Sequence, residues 1–560
     1  MSGSQMVTGS HLIGRALKLE GVDNIFTLAG DHILPLLDVL HDMDFRYVDT
    51  RHEQAAVHMA DAWARITGQP GVVSYTTPGF ANAVPGLANA FHSDSPVVSI
   101  SGSADLAHLG QGAMQEIEQV DMASPVTKGS WMVHDARRIP ELIARAMRTA
   151  FSGRRGPVHL TIPMDVQEQR VSDEEVSLYQ PREYRVGATS QARPELVRQA
   201  VDVLRQGSRP MIVVGGAAAD ADAGEVLRRF VETTNLPLLT EDQARGMVAD
   251  DHPNCFGFFE RGLNRAAAMV READVVLLLG RKQDYTIGYG LPPAIAADAR
   301  MVQVDPSAAE IGRNRGVDVG IVGDIAGVVE QLADEAARHS WPRLPWLDRL
   351  QAEREAQDEW LDTLAAPETP MHATYVHRAM QRLLRPDDFL VFDGGDFCHF
   401  GRAIHAAQRP RRWLYVSSLG MLGSSLPTAM AAKLAHPDAR VVMFTGDGAF
   451  GFNGMEFDTA VRHDLPLVAV MGNDAAWGID RQIQLGLYGR PIATDLLRTR
   501  YDRVVEGLGG YGELVERPED LVPAVERAFA SGKPALVNVS VQRAISPRAE
   551  AAIARRKAGG

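Results

Sequence analysis

Cysteine is almost missing from this chain: Cys255 and Cys398 are the only two among 560 residues, and they lie far apart. Two isolated thiols build neither a disulfide framework nor a cysteine-based zinc cluster, and their scarcity fits a reducing compartment. Long apolar runs are lacking as well. No stretch approaches the ~20 residues that a membrane helix requires. The opening MSGSQMVTGSHLIGRALKLEG has no basic segment leading into an apolar core, so no signal peptide is expected. Positive charge is short: 57 Lys and Arg against 71 Asp and Glu leave −14. Such a surface repels phosphate backbones and anionic membranes. The expectation is a cytoplasmic protein with neither nucleic-acid nor membrane partners.

What is present is an ordinary globular composition, 45% hydrophobic and 23% charged. A chain this long exceeds one core and should divide into about three domains. Three blocks each alternate short β-branched runs with longer amphipathic segments, the pattern of parallel sheets covered by helices. The runs are NIFTLAG, GVVSYTTPG, PVVSISG and GPVHLTIP in the first block, then PMIVVGG, DVVLLLG and MVQVD in the second. The third has FLVFDGG, RVVMFTGDG, LPLVAVMGND and PALVNVSV. The expected fold class is α/β, with three consecutive open parallel-sheet domains at residues 1–170, 190–340 and 370–545. A basic tail follows at 546–560, with Arg548, Arg555, Arg556 and Lys557 set against Glu550. The polar, aperiodic stretch from Val166 to Pro194 reads as a linker, and the Trp/Pro/charge-rich stretch from Glu335 to Pro370 as a second connection. No sequence repeat requires the blocks to be copies of one another.

The most informative stretch runs from Arg440 to Gly478. A strand enters Gly446-Asp447-Gly448, a helix follows, and a second strand ends in Gly472-Asn473-Asp474. Gly446, Gly448 and Gly451 satisfy the G-x-G-x-x-G spacing of a dinucleotide fold. Charge argues against that use, because Asp447 would sit inside the pyrophosphate cradle and repel it. A divalent cation held by Asp447 and Asp474 removes the conflict, since a hard cation takes carboxylate and phosphate oxygens together.

GDG, some two dozen residues, then Asn followed by Asn or Asp resembles the signature of thiamine-diphosphate enzymes; Asp447 and Asp474 are 27 positions apart. The resemblance implies thiamine diphosphate bound through Mg²⁺. The metal would be held by Asp447, Asp474 and the backbone carbonyl of Ala476. Asp stands where the family more often has a second Asn, so Asn473 is the other candidate, with spacing favouring Asp474. Gly446, Gly448, Ala449, Trp477 and Gly478 fall to the same cofactor. Asp393-Gly-Gly-Asp396 matches the family's loop over the diphosphate and places Gly395 and Asp396 there. Glycine suits a close backbone approach, whereas the Asp396 carboxylate beside phosphate has no explanation unless it faces away.

The same resemblance assigns the acid that drives the cofactor's aminopyrimidine into its imino form. Glu53, in the family-like segment Arg51-His-Glu-Gln-Ala-Ala, follows the expected strand FRYVDT and opens an apolar helix over Gln54–Arg65. Burial there would keep it a proton donor. TTPGFANAVPGLANAF (Thr76–Phe91) and GAMQEIEQVDMASPVTK (Gly112–Lys128) are similar to loops lining the reacting carbon, which places Pro78, Asn82, Gln115 and Glu116 nearby. SSLGMLGSSLPTAMAAK (Ser417–Lys433) is similar to the segment that bends the cofactor, with the Gly420 carbonyl accepting from its amino group and Leu422 wedged between its rings.

The block order resembles acetolactate synthase, oxalyl-CoA decarboxylase, 2-hydroxyacyl-CoA lyase and benzaldehyde lyase. LLLGRKQDYTIGYGLPP and VQVDPSAAEIGRNRGVDVGIVGD are similar to nucleotide-binding segments of the CoA-dependent members, so Arg281, Asp305 and Arg313 are candidates to hold an ADP or CoA nucleotide. The basic tail, with Arg555 and Arg556, is either a lid over CoA phosphates or a solvated end. The favoured expectation is a 2-hydroxyacyl-CoA lyase releasing an aldehyde or ketone and formyl-CoA. His32, His399 or the cofactor's imine would accept the substrate hydroxyl's proton, and Glu53, Gln115 and His32 are the catalytic candidates. The alternatives are an acetolactate-synthase-type carboligase or decarboxylase of 2-oxo acids, and a non-catalytic cofactor-binding scaffold. The resemblance implies a homodimer at minimum and a homotetramer as the expected assembly.

Overall fold

The computed structural model describes residues 5–185 and 190–558. Three six-stranded sheets, all with parallel neighbours, follow one another along the chain. The first is ordered Arg46–Asp49, Asn24–Leu28, Gly71–Tyr75, Val97–Ser103, Val158–Pro163, Ser130–Met132. The third is ordered Trp413–Tyr415, Phe389–Phe392, Val441–Gly446, Val468–Asn473, Ala535–Ser540, Tyr511–Val515. Numbered within each sheet, both read 2-1-3-4-6-5. The middle sheet runs Cys255–Phe258, Leu238–Thr240, Pro210–Val214, Val275–Leu279, Arg300–Asp305, Val319–Val322, or 3-2-1-4-5-6. The outer sheets therefore share a topology and the middle one has the dinucleotide-fold order. In open sheets of either kind, ligands bind past the strands' C-terminal ends where the winding reverses. That point lies between strands 1 and 3 of the outer sheets and between 1 and 4 of the middle one.

Central strands such as Gly71–Tyr75, Pro210–Val214 and Val275–Leu279 are buried at every position, as helices on both faces require. By internal contacts the chain forms two compact units. One groups the first sheet with residues 417–437 and 453–465; the other holds the middle and third sheets and the C-terminal tail. In the first unit, helix Ser425–Ala435 packs along helix Glu53–Thr67. Among the described residues no helix is long and apolar enough to cross a membrane.

Both expected connections are more ordered than their composition implied. Within Val166–Pro194, strand Arg170–Ser172 pairs antiparallel with Met6–Thr8, and Pro181–Tyr184 forms a helical turn. Val166 and Val171 are buried, with Val176 and Tyr184 packed against the same core, so a few apolar residues in a polar stretch are enough to anchor it. Residues 186–189 lie outside the described residues. The second connection contains the helix Trp346–Thr363, whose Trp346, Leu347 and Leu350 fill one face of the middle core. The tail forms helix Pro547–Ala558 and docks on helix Gly478–Tyr488.

Candidate functional site

In the third sheet, strands Val441–Gly446 and Val468–Asn473 pair with Gly446 opposite Gly472. Asp447 and Asp474 therefore leave adjacent strand tips. Their carboxyls face each other within hydrogen-bonding range, and burial raises the pKa of both, the neighbouring acid adding to the rise at Asp447. Asp447 Oδ2 is buried without a partner. Asn473 cannot take the place of Asp474: its Nδ2 donates to the Thr499 carbonyl and to Asn538 Oδ1 (both 3.2 Å), and its Oδ1 accepts from the Ala475 amide. Ala475 adopts φ +56°, which turns the chain back so that the Ala476 amide donates to Asp474. Arg543 Nε donates to the Asp474 carbonyl at 2.9 Å and fixes that turn. Close packing explains two glycines here. A Cβ on Gly448 would lie 2.8 Å from the Trp477 ring, and one on Gly478 would lie 2.8 Å from Asp474 Oδ2.

Two facing carboxyls, one oxygen unsatisfied, fit a divalent cation better than the protonated pair they otherwise form. Among the described residues no third His, Cys, Asp or Glu joins them. Further ligands would come from backbone carbonyls, water or phosphate, the donor set that suits Mg²⁺. Gly446 has no atom within 4 Å of where its Cβ would stand, which leaves room for a phosphate.

The neighbouring strand Phe389–Phe392 ends in Asp393-Gly-Gly-Asp396 across the winding reversal. Gly395, at φ +96° with nothing within 4 Å of a built Cβ, presents bare backbone to the same space. Asp396 opens helix Asp396–Ile404, and burial pushes its carboxyl up to about 6, opposed by Ser546. His399 Nδ1 lies 3.8 Å from it. His399 is fully buried and held neutral, its ring nitrogens 3.4 Å from the Ser546 hydroxyl and 3.5 Å from Arg548 Nη1.

The first unit carries the other candidates. Glu53 is the first residue of helix Glu53–Thr67, started by His52, whose side chain accepts from the Gln54 amide, and ended by Gly68 at φ +75°. It is buried, with Asn82 Nδ2 donating to Oε2 at 3.0 Å. Gly79 allows the approach, since a Cβ there would stand 2.8 Å from Glu53 Oε1. Pro78, one residue before Gly79, is the second residue of helix Thr77–His92. His32 and Thr77 lie past strands 1 and 3 of the first sheet, joined by an Nδ1–Oγ1 contact of 3.1 Å. The Thr77 hydroxyl donates to the Gly102 carbonyl, so His32 donates from Nδ1 and keeps its lone pair on Nε2. Burial lowers the His32 pKa, so the ring is neutral and basic at one nitrogen. Gln119, which the sequence reading passed over, donates to Thr77 Oγ1 and to the Gly102 carbonyl, both at 3.0 Å, and completes this network. Its burial beside Gln115 and Glu116 had no sequence signal. Gln115 itself is exposed at φ +57°. Glu116 accepts from the Gly110 and Ala113 amides, which lower its pKa and brace the loop. Gly420 (φ +74°) and the half-buried Leu422 occupy the turn before helix Ser425–Ala435.

In the middle sheet Arg281 lies at the winding reversal, but it is buried and already met by Asp284 at 3.0 Å and Glu241 at 3.5 Å. Asp305 accepts from the Ser307 amide, and Arg313 is exposed and paired with Glu310. Arg555 and Arg556 are exposed on the tail helix. At the start of that helix, Arg548 lies 3.7 Å from Glu260 and close to Tyr285 and Tyr415. Burial lowers the pKa of the neighbouring Arg261, Glu260 opposing and Arg555 reinforcing the effect.

Comparison with known proteins covers most of the chain. Residues 7–122 match the thiamine pyrophosphate enzyme N-terminal TPP binding domain, 197–332 its central domain and 393–539 its C-terminal TPP binding domain. A probable acetolactate synthase of Mycobacterium bovis is 35% identical over 96% of both chains. 2-Hydroxyacyl-CoA lyase 2 of Homo sapiens is 32% identical over 96% of this chain and 90% of its own. Oxalyl-CoA decarboxylase of Escherichia coli is 31% identical over 96% of both.

Proposed function

The chain belongs to the thiamine pyrophosphate enzyme family, and on that premise we propose that it is an Mg²⁺-dependent carbon–carbon lyase of 2-hydroxyacyl-CoA thioesters. Asp447, Asp474 and the Ala476 carbonyl would hold Mg²⁺. Gly395, Asp396, Gly446, Gly448, Ala449, Trp477 and Gly478 would surround the diphosphate, and Pro78, Asn82, Gly420 and Leu422 the pyrimidine and its bend. Once bound, thiamine diphosphate supplies a nucleophilic carbon and an electron sink. Glu53, braced by Asn82, would meet the pyrimidine as its hydrogen-bonding acid. The substrate's C1–C2 bond breaks as its hydroxyl proton passes to His32 Nε2, and a proton finishes on the formyl carbon of formyl-CoA. Gln115, on its exposed loop, would orient the thioester. The functional protein is proposed to be at least a homodimer.

The observation that supports the CoA assignment is the cluster of arginines about Glu260, with Arg261 close to Arg555 and Arg548 close to the half-exposed Tyr285. A 2-oxo acid offers one carboxylate, which needs one arginine, whereas a CoA thioester brings several phosphates and a base that stacks on an aromatic ring. The second reading, a carboligase of 2-oxo acids, draws on the 35% identity to the probable acetolactate synthase. The deciding experiment offers 2-hydroxyisobutyryl-CoA and, separately, pyruvate to the enzyme loaded with thiamine diphosphate and Mg²⁺. Formyl-CoA and acetone from the first are expected. Acetolactate from pyruvate with no formyl-CoA would replace the lyase reading with the carboligase.

A further inference from the structure

A second acid in the first unit lies against the turn that delivers Glu53. Glu456, 1% exposed, accepts the Arg51 amide on both carboxylate oxygens at 3.0 and 3.1 Å. It accepts the His52 amide as well, and the Thr459 hydroxyl at 2.6 Å. Arg51 and His52 are the two residues immediately before Glu53. The turn's other end is held from the same segment. Arg462 pairs with the Asp49 carboxylate at 2.6 Å and donates to its carbonyl at 2.8 Å, while His463 Nε2 lies 2.9 Å from Asp49 Oδ1. Asn453, three residues before Glu456, donates to the Gly423 carbonyl at 2.9 Å, next to Leu422.

Amides at the start of a helix have no intrahelical acceptor. Those of Arg51 and His52 precede even the N-cap contact, so without Glu456 they would be left to solvent and the turn would sample other conformations. A buried carboxylate is a costly way to satisfy two amides unless their exact placement matters. The aperture for Glu53 is narrow, bounded by Gly79 on one side and Asn82 on the other. A displacement of an ångström in the preceding turn would take its carboxyl off target, and misplacement of that size costs on the order of 100-fold in rate.

We propose that Glu456 is a positioning residue for Glu53, its carboxylate clamping the Arg51 and His52 amides so that the acid projects at one fixed height from its helix. The inference rests on Glu53 being the acid that activates the cofactor. The test uses Glu456→Ala, the near-isosteric Glu456→Gln, Glu53→Gln and the double variant Glu53→Gln/Glu456→Ala, all in the full chain. In the cofactor-free protein, amide hydrogen exchange over residues 46–60 should accelerate ~10-fold or more in Glu456→Ala, and less in Glu456→Gln, which keeps one acceptor oxygen. In the loaded protein, exchange of the thiazolium C2 proton should slow by ~10–100-fold in Glu456→Ala, with thiamine diphosphate affinity changed only a few-fold, and the double variant should be no slower than Glu53→Gln alone. Unchanged amide exchange, or wild-type C2 exchange in Glu456→Ala while Glu53→Gln is slow, overturns the clamp. If Glu456→Ala does not fold, Glu456→Gln is judged by the same two readouts. Wild-type C2 exchange in Glu53→Gln would instead remove Glu53 from its role and take this inference with it.

Discussion

At the scale of single residues, the chemistry is a matter of charges placed where they conflict until a ligand arrives. Asp447 and Asp474 face one another at the tips of paired strands, and the Arg543 charge beside Asp474 offsets only part of what burial imposes on the pair. Replacing Asp447 by Asn removes one of the two facing acids and supplies an amide that can donate to Asp474. The Asp447→Asn protein is therefore expected to melt a few degrees higher than wild type without metal, and to gain nothing from added Mg²⁺ and thiamine diphosphate. Thermal melts with and without the pair check both halves. Glu53→Gln keeps the shape of the side chain but not its acid–base chemistry, and turnover should fall by ~100- to 10,000-fold with the melting point preserved. The motifs around both sites were legible because each is contiguous in sequence. Gln119 and Glu456 were not, because nothing near them in the chain says what they touch. Their partners, Thr77 and Arg51, lie 42 and 405 positions away.

At the scale of elements, the legible strands are the central ones. PMIVVGG and DVVLLLG announced themselves as unbroken apolar runs because both faces are covered by helices. Ser130–Met132 and Tyr511–Val515, at sheet edges, are half-buried and short or polar, and carry no such run. The tail shows the reverse error of composition. Rich in Arg and Ala, it reads equally as a solvated end, yet Ile553 seats it against Gly486, where a Cβ would come within 2.6 Å of Ile553 Cδ1. Gly486→Val should dislodge the tail helix. Hydrogen exchange over residues 547–558 is expected to rise to that of an unprotected helix while strand Val468–Asn473 keeps its protection, and KM for an acyl-CoA should rise more than kcat falls. Equal protection of the tail in both proteins would show that it docks by other contacts.

At the scale of the whole molecule, several histidines are buried as neutral rings. Burial lowers the pKa of His58 to about 4, and of His159 and His377 to about 3. His159 is held by Ser99 at 2.8 Å, and His377 by the Phe397 carbonyl at 2.9 Å and His405 at 3.1 Å. The unfolded chain takes up these protons near pH 6.5, the native state only far lower. Stability is thus intact above that pH and is lost as pH falls from 6.5 toward the native values. At pH 5 the three together should cost roughly 6 kcal/mol, about 2 kcal/mol each. From the histidines alone, urea midpoints measured at pH 7.5, 6.5 and 5 should dip by about 1 kcal/mol equivalent between the first two and drop steeply at the third. Buried acids raised toward neutrality, Asp396 among them, act in the opposite sense, so the histidine share is read by comparison with His159→Gln, and a wild-type profile no steeper than that variant's would show that this ring contributes nothing.

The sequence by itself determined the class of fold, the strand-tip aspartates, the glycines beside them and the acid at the head of an apolar helix. Each is written in contiguous residues whose spacing is set by local backbone geometry. Only the tertiary structure decided that Asp474 rather than Asn473 faces Asp447, that the outer sheets share a strand order the middle one lacks, and that the segment after helix Asp447–Asn453 grips the turn before Glu53. Those outcomes depend on which buried donors meet which acceptors across hundreds of residues, and burial of that kind leaves no periodicity to read.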